Sequence, residues 1–305
     1  MTRWHDRPIA DRLAMGTLLM MGGIFAGAWL ASGQLVRRRS PDPPVDPSAY
    51  GLEAETVRFP SRDGLLLGGY WIPARRRRGT IVLLSGQGGS LDPDLIYAPA
   101  LIHHGYDVLL FDFRGHGRSQ GESVSWGYYE RLDLLGALDF LRERGIEQVG
   151  VWGFSMGAAV AIRTAPEAEE IVAVVSDGCY ADLLGAICGW VRARGLHGKP
   201  VEWLARLVLR MAGWRLGCRL EDAAPVRWVG RISPRPILFI QGERDPFVPP
   251  RDFLRLWQAA REPKERWVVP GAGHREADKL YPAAYRQRVL DFFDRHLAGR
   301  RGRRR

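Results

Sequence analysis

Ser155 stands at the centre of a five-residue stretch, Gly153-Phe154-Ser155-Met156-Gly157, that could carry nucleophilic chemistry. An apolar, strand-like run precedes the stretch and a helix-like run follows it, so the serine falls on a strand-to-helix turn. Such a turn strains the backbone at the nucleophile and brings the strand and the helix close together, and glycine on both sides leaves room for that approach. The pattern also occurs by chance, so other residues must decide whether it is catalytic.

Two further side chains complete a possible proton-transfer system. Asp245 follows a predicted strand, and His274 ends a glycine-containing loop after the next strand. A serine hydroxyl is a poor nucleophile at neutral pH, so a histidine must accept its proton and a carboxylate must orient that histidine. The chain order serine, acid, histidine is the one that enzymes with this kind of turn use. We therefore predict Ser155, Asp245 and His274 as a catalytic triad, with Asp177 as the rival acid.

Short apolar runs alternate with helical segments from residue 55 onward. Strands are predicted at 55–60, 65–73, 80–85, 106–113, 148–152, 171–176, 236–241 and 266–269. Asp63-Gly64 favours a tight hairpin turn between the first two strands. Near-continuous apolar strands that alternate with helices are typical of a parallel sheet covered on both faces. We predict an α/β fold with a mostly parallel, doubly wound, eight-stranded sheet and an antiparallel N-terminal hairpin. Its active site should lie beyond the carboxyl ends of the strands.

The N-terminal region has the character of a membrane anchor. No charged residue occurs from Leu13 to Val36, a run of about 36 Å as a helix, which is long enough to cross a bilayer. A cleaved signal peptide is the alternative, but its apolar region is normally shorter. Arginines flank the run equally on both sides, so the positive-inside rule assigns no orientation. We predict a flank at 1–12, a single-pass transmembrane helix at 13–36, a proline-rich linker at 37–54 that acts as a spacer, a globular domain at 55–298 and a basic tail at 299–305.

The composition argues against several other classes of protein. The formal net charge is +10, but the arginines of three short runs, at 37–39, 75–78 and 300–305, outnumber this excess, and no aromatic residues alternate with them. Nucleic-acid binding is therefore not expected. Three cysteines without C-x-x-C spacing predict neither a disulfide framework nor a zinc site. The stretch Ser85-Gly86-Gln87-Gly88-Gly89 lacks the last glycine of a dinucleotide fingerprint. We predict no metal and no organic cofactor.

Residues 55–298 resemble the α/β-hydrolase superfamily of the serine-hydrolase type, in particular its lipase, esterase and S33-peptidase-like branches. Four motifs carry the resemblance: the loop from Ser85, the segment 112–119, the turn at Ser155, and the loops of Asp245 and His274. The resemblance implies that the main-chain amides of Gln87 and Met156 bind the oxyanion. Many relatives have His-Gly where this chain has Ser85-Gly86, so the histidine that braces the loop is missing while the main-chain donors remain.

The stretch 179–233 is too long for an ordinary connection between the sixth and seventh strands. The resemblance implies a helical cap over the active site at this place. In the second predicted helix of the cap, Leu204, Leu207, Val208 and Met211 follow helical spacing and are predicted to form one buried face. The stretch also contains Trp190, Trp203, Trp214 and Trp228. Such an aromatic cover suits an acyl chain or a bilayer surface.

Together these features predict a membrane-tethered serine hydrolase that cleaves carboxylic esters or related acyl substrates, small or lipid-like, through a covalent acyl-enzyme. Serine peptidase, thioesterase or acyltransferase activity fits the same residues, and a non-catalytic membrane scaffold is an alternative of another class. The domain from residue 55 already contains every predicted site residue. We therefore expect that removal of residues 1–48 releases an active, soluble enzyme.

Overall fold

The computed structural model describes residues 9–297 of the chain. Its strands are β1 Glu55–Pro60, β2 Leu66–Ile72, β3 Gly79–Leu84, β4 Tyr106–Phe111, β5 Val149–Phe154, β6 Ile171–Asp177, β7 Ile237–Gly242 and β8 Lys264–Val269. Its α-helices are α1 Ile9–Val36, α2 Ala98–His103, α3 Glu130–Glu143, α4 Met156–Thr164, α5 Leu183–Arg192, α6 Lys199–Leu216, α7 Pro250–Ala259, α8 Ala277–Leu280 and α9 Pro282–His296. Residues 1–8 of the predicted flank and the basic tail at 299–305 lie outside this range.

One mixed sheet contains the eight strands in the order β1-β2-β4-β3-β5-β6-β7-β8. β1 and β2 pair antiparallel, with Glu55 opposite Trp71 and Pro60 opposite Leu66, and β2 is also antiparallel to β4. All other neighbouring strands are parallel. The predicted mostly parallel sheet with an N-terminal hairpin is confirmed.

Two apolar cores cover opposite faces of the sheet, because successive side chains of a strand point to opposite sides. In β5, Val151 belongs to the core under α3, α4 and α7, whereas Trp152 belongs to the core under α2 and α9. The sheet is thus covered by helices on both faces. Since β3, β5, β6, β7 and β8 run parallel, their carboxyl ends meet at one edge of the sheet, and the loops that follow these strands converge there.

The stretch between β6 and β7 contains α5, α6 and three short 3₁₀ turns. The buried face of α6 agrees with the predicted one only in part: Met211 is buried as predicted, but Leu204 is 42% exposed, and Ala205, Leu209 and Ala212 are buried as well. α6 packs against α1 and α5, and the small side chains of Ala205 and Ala212 allow neighbouring elements to approach closely. This difference arises because the partner α1 lies far away in the sequence, where helical spacing within α6 gives no information about it.

α1 begins at Ile9, before the predicted span, and its segment Leu13–Val36 comprises 24 residues. This segment is long and apolar enough to cross a membrane, a property that it shares with signal sequences. Residues 13–27 are exposed. Ala28, Ser32 and Val36, spaced four residues apart, are buried. The C-terminal end of α1 therefore packs on the domain while its preceding turns do not.

Arg215 of α6 fixes this end of α1. Its guanidinium donates to Ser32 Oγ at 2.9 Å and to the main-chain oxygen of Trp29 at 2.9 Å. The same guanidinium stacks over the Trp29 ring, 3.6 Å from the ring centroid. A cation over an indole face is favourable because of the ring quadrupole.

The linker at 37–54, which we predicted as a spacer, is bonded to the domain. It contains a 3₁₀ turn at Pro47–Tyr50, and its polar groups bond to loops of the domain. The Asp42 carboxylate accepts the main-chain hydrogen of Ser90 at 2.8 Å, and the main-chain amide of Val45 donates to Asp92 at 2.8 Å. The linker thus lies on the domain and connects α1 to it directly.

Candidate active site

Ser155 lies on the turn between β5 and α4. Its φ of 51° and ψ of −110° place a non-glycine residue in a strained region of backbone space. The neighbouring glycines are required sterically: a Cβ at Gly157 would overlap the main-chain oxygen of Leu84, and a Cβ at Gly153 would overlap the main chain of Gly157. The structure therefore contains the tight strand-to-helix turn that the glycine spacing indicates.

His274 connects Ser155 with Asp245. Its Nε2 atom lies 3.0 Å from Ser155 Oγ, and its Nδ1 atom lies 2.7 Å from Asp245 Oδ2. An ionised carboxylate can only accept hydrogen bonds, so Nδ1 of a neutral His274 carries the proton and Nε2 presents its lone pair to the serine hydroxyl. The structure thus brings together the three side chains that we predicted as a triad, in an arrangement suited to proton transfer from the serine.

The Asp245 carboxylate is fixed by the loop that follows β7. It is buried, its Oδ1 atom accepts from the main-chain amides of Phe247 at 2.8 Å and Val248 at 3.0 Å, and Gln241 donates to Oδ2 at 3.1 Å. The Phe247 ring lies against His274, with the ring centroids 4.8 Å apart. The loop after β7 therefore fixes the Asp245 carboxylate and also contacts the His274 ring.

Asp177, the rival acid, ends β6 and makes a different set of contacts. Its carboxylate accepts from the Tyr285 hydroxyl at 2.5 Å, and its main-chain oxygen accepts from the Ser155 amide at 2.7 Å. Complete burial raises the pKa of Asp177 to about 6. No hydrogen bond joins this carboxylate to His274 in the described part of the chain. Asp177 supports the strained turn from behind, whereas Asp245 bonds to the imidazole.

The loop after β3 lies against Ser155. A Cβ placed at Gly86 would be 3.6 Å from Ser155 Cβ. Among residues 9–297, the main-chain amides of Gln87 and Met156 are bonded to no acceptor. Met156 is the first residue of α4, where main-chain amides have no partner within the helix. Both amides can therefore donate to an anion that forms next to Ser155.

Arg275 contacts the same loop, and we did not predict its contribution. Its φ of 55° turns the chain directly after His274. Its guanidinium pairs with Asp94 and lies 4.3 Å from the centroid of the Phe154 ring. Nη1 is 3.3 Å from the position that a Cβ at Gly86 would take. Arg275 thus fills space beside the loop in a chain that lacks the bracing histidine of many relatives. Its position next to His274 was the one sequence signal.

The segment 112–119 supports the loop through hydrogen bonds and partly buried ion pairs. Asp112 accepts from the main-chain amides of Leu91 at 2.6 Å and Arg118 at 2.8 Å. The Arg118 guanidinium forks onto Asp92 at 2.7 and 2.8 Å. His116 is a buried loop histidine: its Nδ1 bonds to the main-chain oxygen of Arg114 at 2.9 Å, and burial lowers its pKa. Across residues 9–297, no group of three or more potential ligand side chains is placed to hold a metal ion.

Several known proteins are similar to this chain over most of its length. The uncharacterized protein YqkD of Bacillus subtilis is 28% identical over 256 residues, which cover 80% of each protein. The polyketide transferase grgF of a Penicillium species is 26% identical over 294 residues, covering 82% of this chain and 99% of the transferase. Among solved structures, the Pyrococcus furiosus esterase PF2001 has a TM-score of 0.70 and 27% identity, covering 85% of this chain and 98% of the esterase.

The family assignment rests on a match that is longer than half of the chain. Residues 81–291 match the alpha/beta hydrolase family, and this range contains β4 to β8 together with Gln87, Ser155, Asp245 and His274. The strand order and the turn at Ser155 agree with that match. The chain therefore belongs to the alpha/beta hydrolase family.

Proposed function

We propose that this protein is a serine hydrolase that cleaves carboxylic esters or related acyl compounds. The observation that carries the proposal is the position of one imidazole, with His274 Nε2 3.0 Å from Ser155 Oγ and Nδ1 2.7 Å from Asp245 Oδ2. The similarity to a solved esterase over 98% of that esterase's length supports the same reaction class. Neither a metal nor an organic cofactor takes part in the proposed reaction.

The proposed reaction has two halves that use the same groups. Ser155 Oγ bonds to the acyl carbon while His274 Nε2 takes the hydroxyl proton, and the resulting oxyanion accepts hydrogen bonds from the main-chain amides of Gln87 and Met156. The tetrahedral intermediate then releases the alcohol, which receives the proton from His274. Water repeats the attack on the acyl-enzyme, so that the acid leaves and the serine hydroxyl is restored.

We also propose that α1 tethers the catalytic domain to a membrane. The exposed apolar turns before Ala28 need an apolar environment, and α6, which packs against α1, carries Trp203 and Trp214, which are 54% and 65% exposed. Tryptophan is enriched at membrane–water interfaces, because its ring is apolar and its N–H is polar. A catalytic domain held at the membrane–water interface could bind lipid-like acyl substrates as well as small soluble ones. In the proposed organisation, the membrane anchor is 13–36 and the linker is 37–54. The catalytic domain is 55–298, and its cap is 179–233.

Acyl transfer is a second candidate, favoured by one comparison. The polyketide transferase grgF is similar to this chain along 99% of its own length. An acyltransferase would use the same serine, histidine and aspartate, and an acceptor alcohol or amine would replace water in the second half of the reaction. Product analysis with and without added short alcohols separates the two reactions, because transfer yields a new ester while hydrolysis yields only the acid.

A fluorophosphonate probe tests the proposed function directly. We expect one modified peptide, with the label on Ser155, and hydrolysis of p-nitrophenyl esters graded by acyl length. Ser155→Ala should prevent labelling and turnover, whereas Ser48→Ala, at an exposed position, should leave both unchanged. Absence of labelling in the folded wild-type protein would favour the non-catalytic scaffold. Residual turnover in a folded Ser155→Ala protein would show that another nucleophile acts.

A further inference from the structure

Residues 37–42, which we call the strap, continue α1 along the domain. The main-chain amides of Arg38 and Arg39 donate to the domain at 2.9 Å each. The Arg38 guanidinium donates to the main-chain oxygens of Gly117, Ser119 and Gly121 at 2.8, 2.9 and 2.7 Å. The strap is therefore bonded to the segment that supports the loop after β3.

Arg39 lies between the end of α1 and Gln87. It donates to the main-chain oxygens of Gln34 at 3.2 Å and Leu35 at 2.8 Å, which belong to the last turn of α1. A cation at this place also compensates the negative end of the helix dipole. The Gln87 side-chain amide is oriented so that its oxygen faces donors and its nitrogen faces acceptors. In this orientation the oxygen accepts from Arg39 Nε at 2.8 Å and from Arg39 Nη2 at 3.1 Å. The Trp126 ring lies 5.7 Å from the guanidinium.

Two further contacts hold the loop on the far side of Gln87. Asp42 accepts the main-chain hydrogen of Ser90 at 2.8 Å. The main-chain oxygen of Ser40 lies so close to Gly89 that a Cβ there would overlap it. A Cβ at the neighbouring Gly88 would meet only the Asp42 carboxylate, at an ordinary 3.8 Å. The strap thus fits the loop closely at residue 89.

We infer that the strap positions the oxyanion-binding loop, with Arg39 as the positioning residue for Gln87. This inference rests on the proposed function, because it assigns Gln87 as an oxyanion donor. The Gln87 side chain is tied to the last turn of α1, so its main-chain amide is held relative to Ser155 by residues outside the domain that begins at residue 55. Arg39 itself does not take part in bond making.

Substitution of Arg39 in the full-length protein tests the inference. A displacement of the donor by about 1 Å costs roughly 100-fold in rate, so Arg39→Ala should lower kcat for a short soluble ester roughly 10- to 100-fold, with little change in KM. Arg39→Lys keeps the charge but loses the planar fork and should recover only part of the activity. Arg206→Ala, which removes an exposed ion pair with Glu202, is the matched control and should retain wild-type kcat.

A double-mutant cycle separates positioning from a general loss of stability. Gln87→Ala keeps the main-chain amide but removes the acceptor of Arg39, so it should lower kcat like Arg39→Ala, and the double variant should be no worse than either. Additive losses, or an unchanged kcat in folded Arg39→Ala, would overturn the inference. If Arg39→Ala does not fold, the kcat values of Gln87→Ala and Arg39→Lys test the inference instead. Wild-type kcat in both variants would overturn the inference.

The rate of fluorophosphonate labelling distinguishes the two proposals. A wild-type protein that does not react would overturn the proposed function and the inference with it. A reactive wild-type protein and an equally reactive Arg39→Ala protein would overturn only the role of the strap. We expect a reactive wild-type protein and slower labelling of Arg39→Ala, because the phosphonyl oxygen occupies the same oxyanion site.

Discussion

The main-chain amide of Ser155 donates to the main-chain oxygen of Asp177 at 2.7 Å, so the nucleophile turn is bonded to the end of β6. The carboxylate of the same aspartate points away, to the Tyr285 hydroxyl. Asp177, on the strand next to that of Ser155, therefore bonds to Tyr285 and not to the imidazole. Asp245, one strand further, bonds to the imidazole.

This division of roles predicts different effects for two asparagine substitutions. Asp245→Asn should lower kcat on the order of 10³- to 10⁴-fold, because an amide no longer selects the required tautomer of His274. Asp177→Asn keeps an acceptor for Tyr285 and should lower kcat less than about tenfold, as expected for a residue that acts only through the backbone. Steady-state kinetics on a short soluble ester measures both. The opposite ranking would identify Asp177 as the catalytic acid.

Asp177 should also make stability depend on pH. Burial raises its pKa from 3.8 to about 6, so the folded protein binds this proton more tightly than the unfolded chain does. Protonated Asp177 therefore contributes up to about 3 kcal/mol to the free energy of unfolding. This contribution is fully present below pH 4 and is lost as the pH rises through 6. Urea denaturation between pH 4 and 7 should show the stability advantage of wild type over Asp177→Asn shrinking as pH rises. A difference that does not change with pH would contradict the assignment.

Two truncations separate the anchor from the strap. Removal of residues 1–27 deletes the exposed turns of α1 and should move the protein from the membrane fraction to the soluble or salt-released fraction with kcat unchanged. Removal of residues 1–48 also deletes Arg39 and Asp42 and should lower kcat roughly 10- to 100-fold. Fractionation with a high-salt wash and the short-ester assay test both. Equal kcat in the two truncations would restore the simpler expectation that every required residue lies after residue 55.

Much of the fold was predictable because it depends on local patterns. Most strands of the sheet are short apolar runs between turn residues, and the glycines around Ser155 indicate a close approach of the main chain. Asp245 and His274 could be predicted as partners of Ser155 because parallel strands carry the residues that follow them to the same edge.

Other features depend on contacts between distant segments and leave no periodic signal. The proline-rich composition of the linker argues against a helix or a central strand, but it does not show that Asp42 bonds to Ser90 or that Arg39 bonds to Gln87. The buried face of α6 was predicted only in part for the same reason, because its neighbour α1 is remote in sequence. Arg275 resembles an ordinary surface arginine in sequence, and its partly buried ion pair with Asp94 appears only in three dimensions.

The contact of Arg215 with Ser32 and Trp29 has a practical consequence for chimeric proteins. If a chimera is to keep this contact, the transplanted part of the chain should begin no later than Ala28, the first buried residue after Leu13, and not at the first strand. A foreign membrane helix fused at residue 55 would leave α6 without its neighbour and the loop after β3 without its support. A fusion at or before Ala28 keeps the native junction. We therefore expect that another apolar helix can replace the preceding turns of α1, whereas the last two turns of α1 itself must be kept.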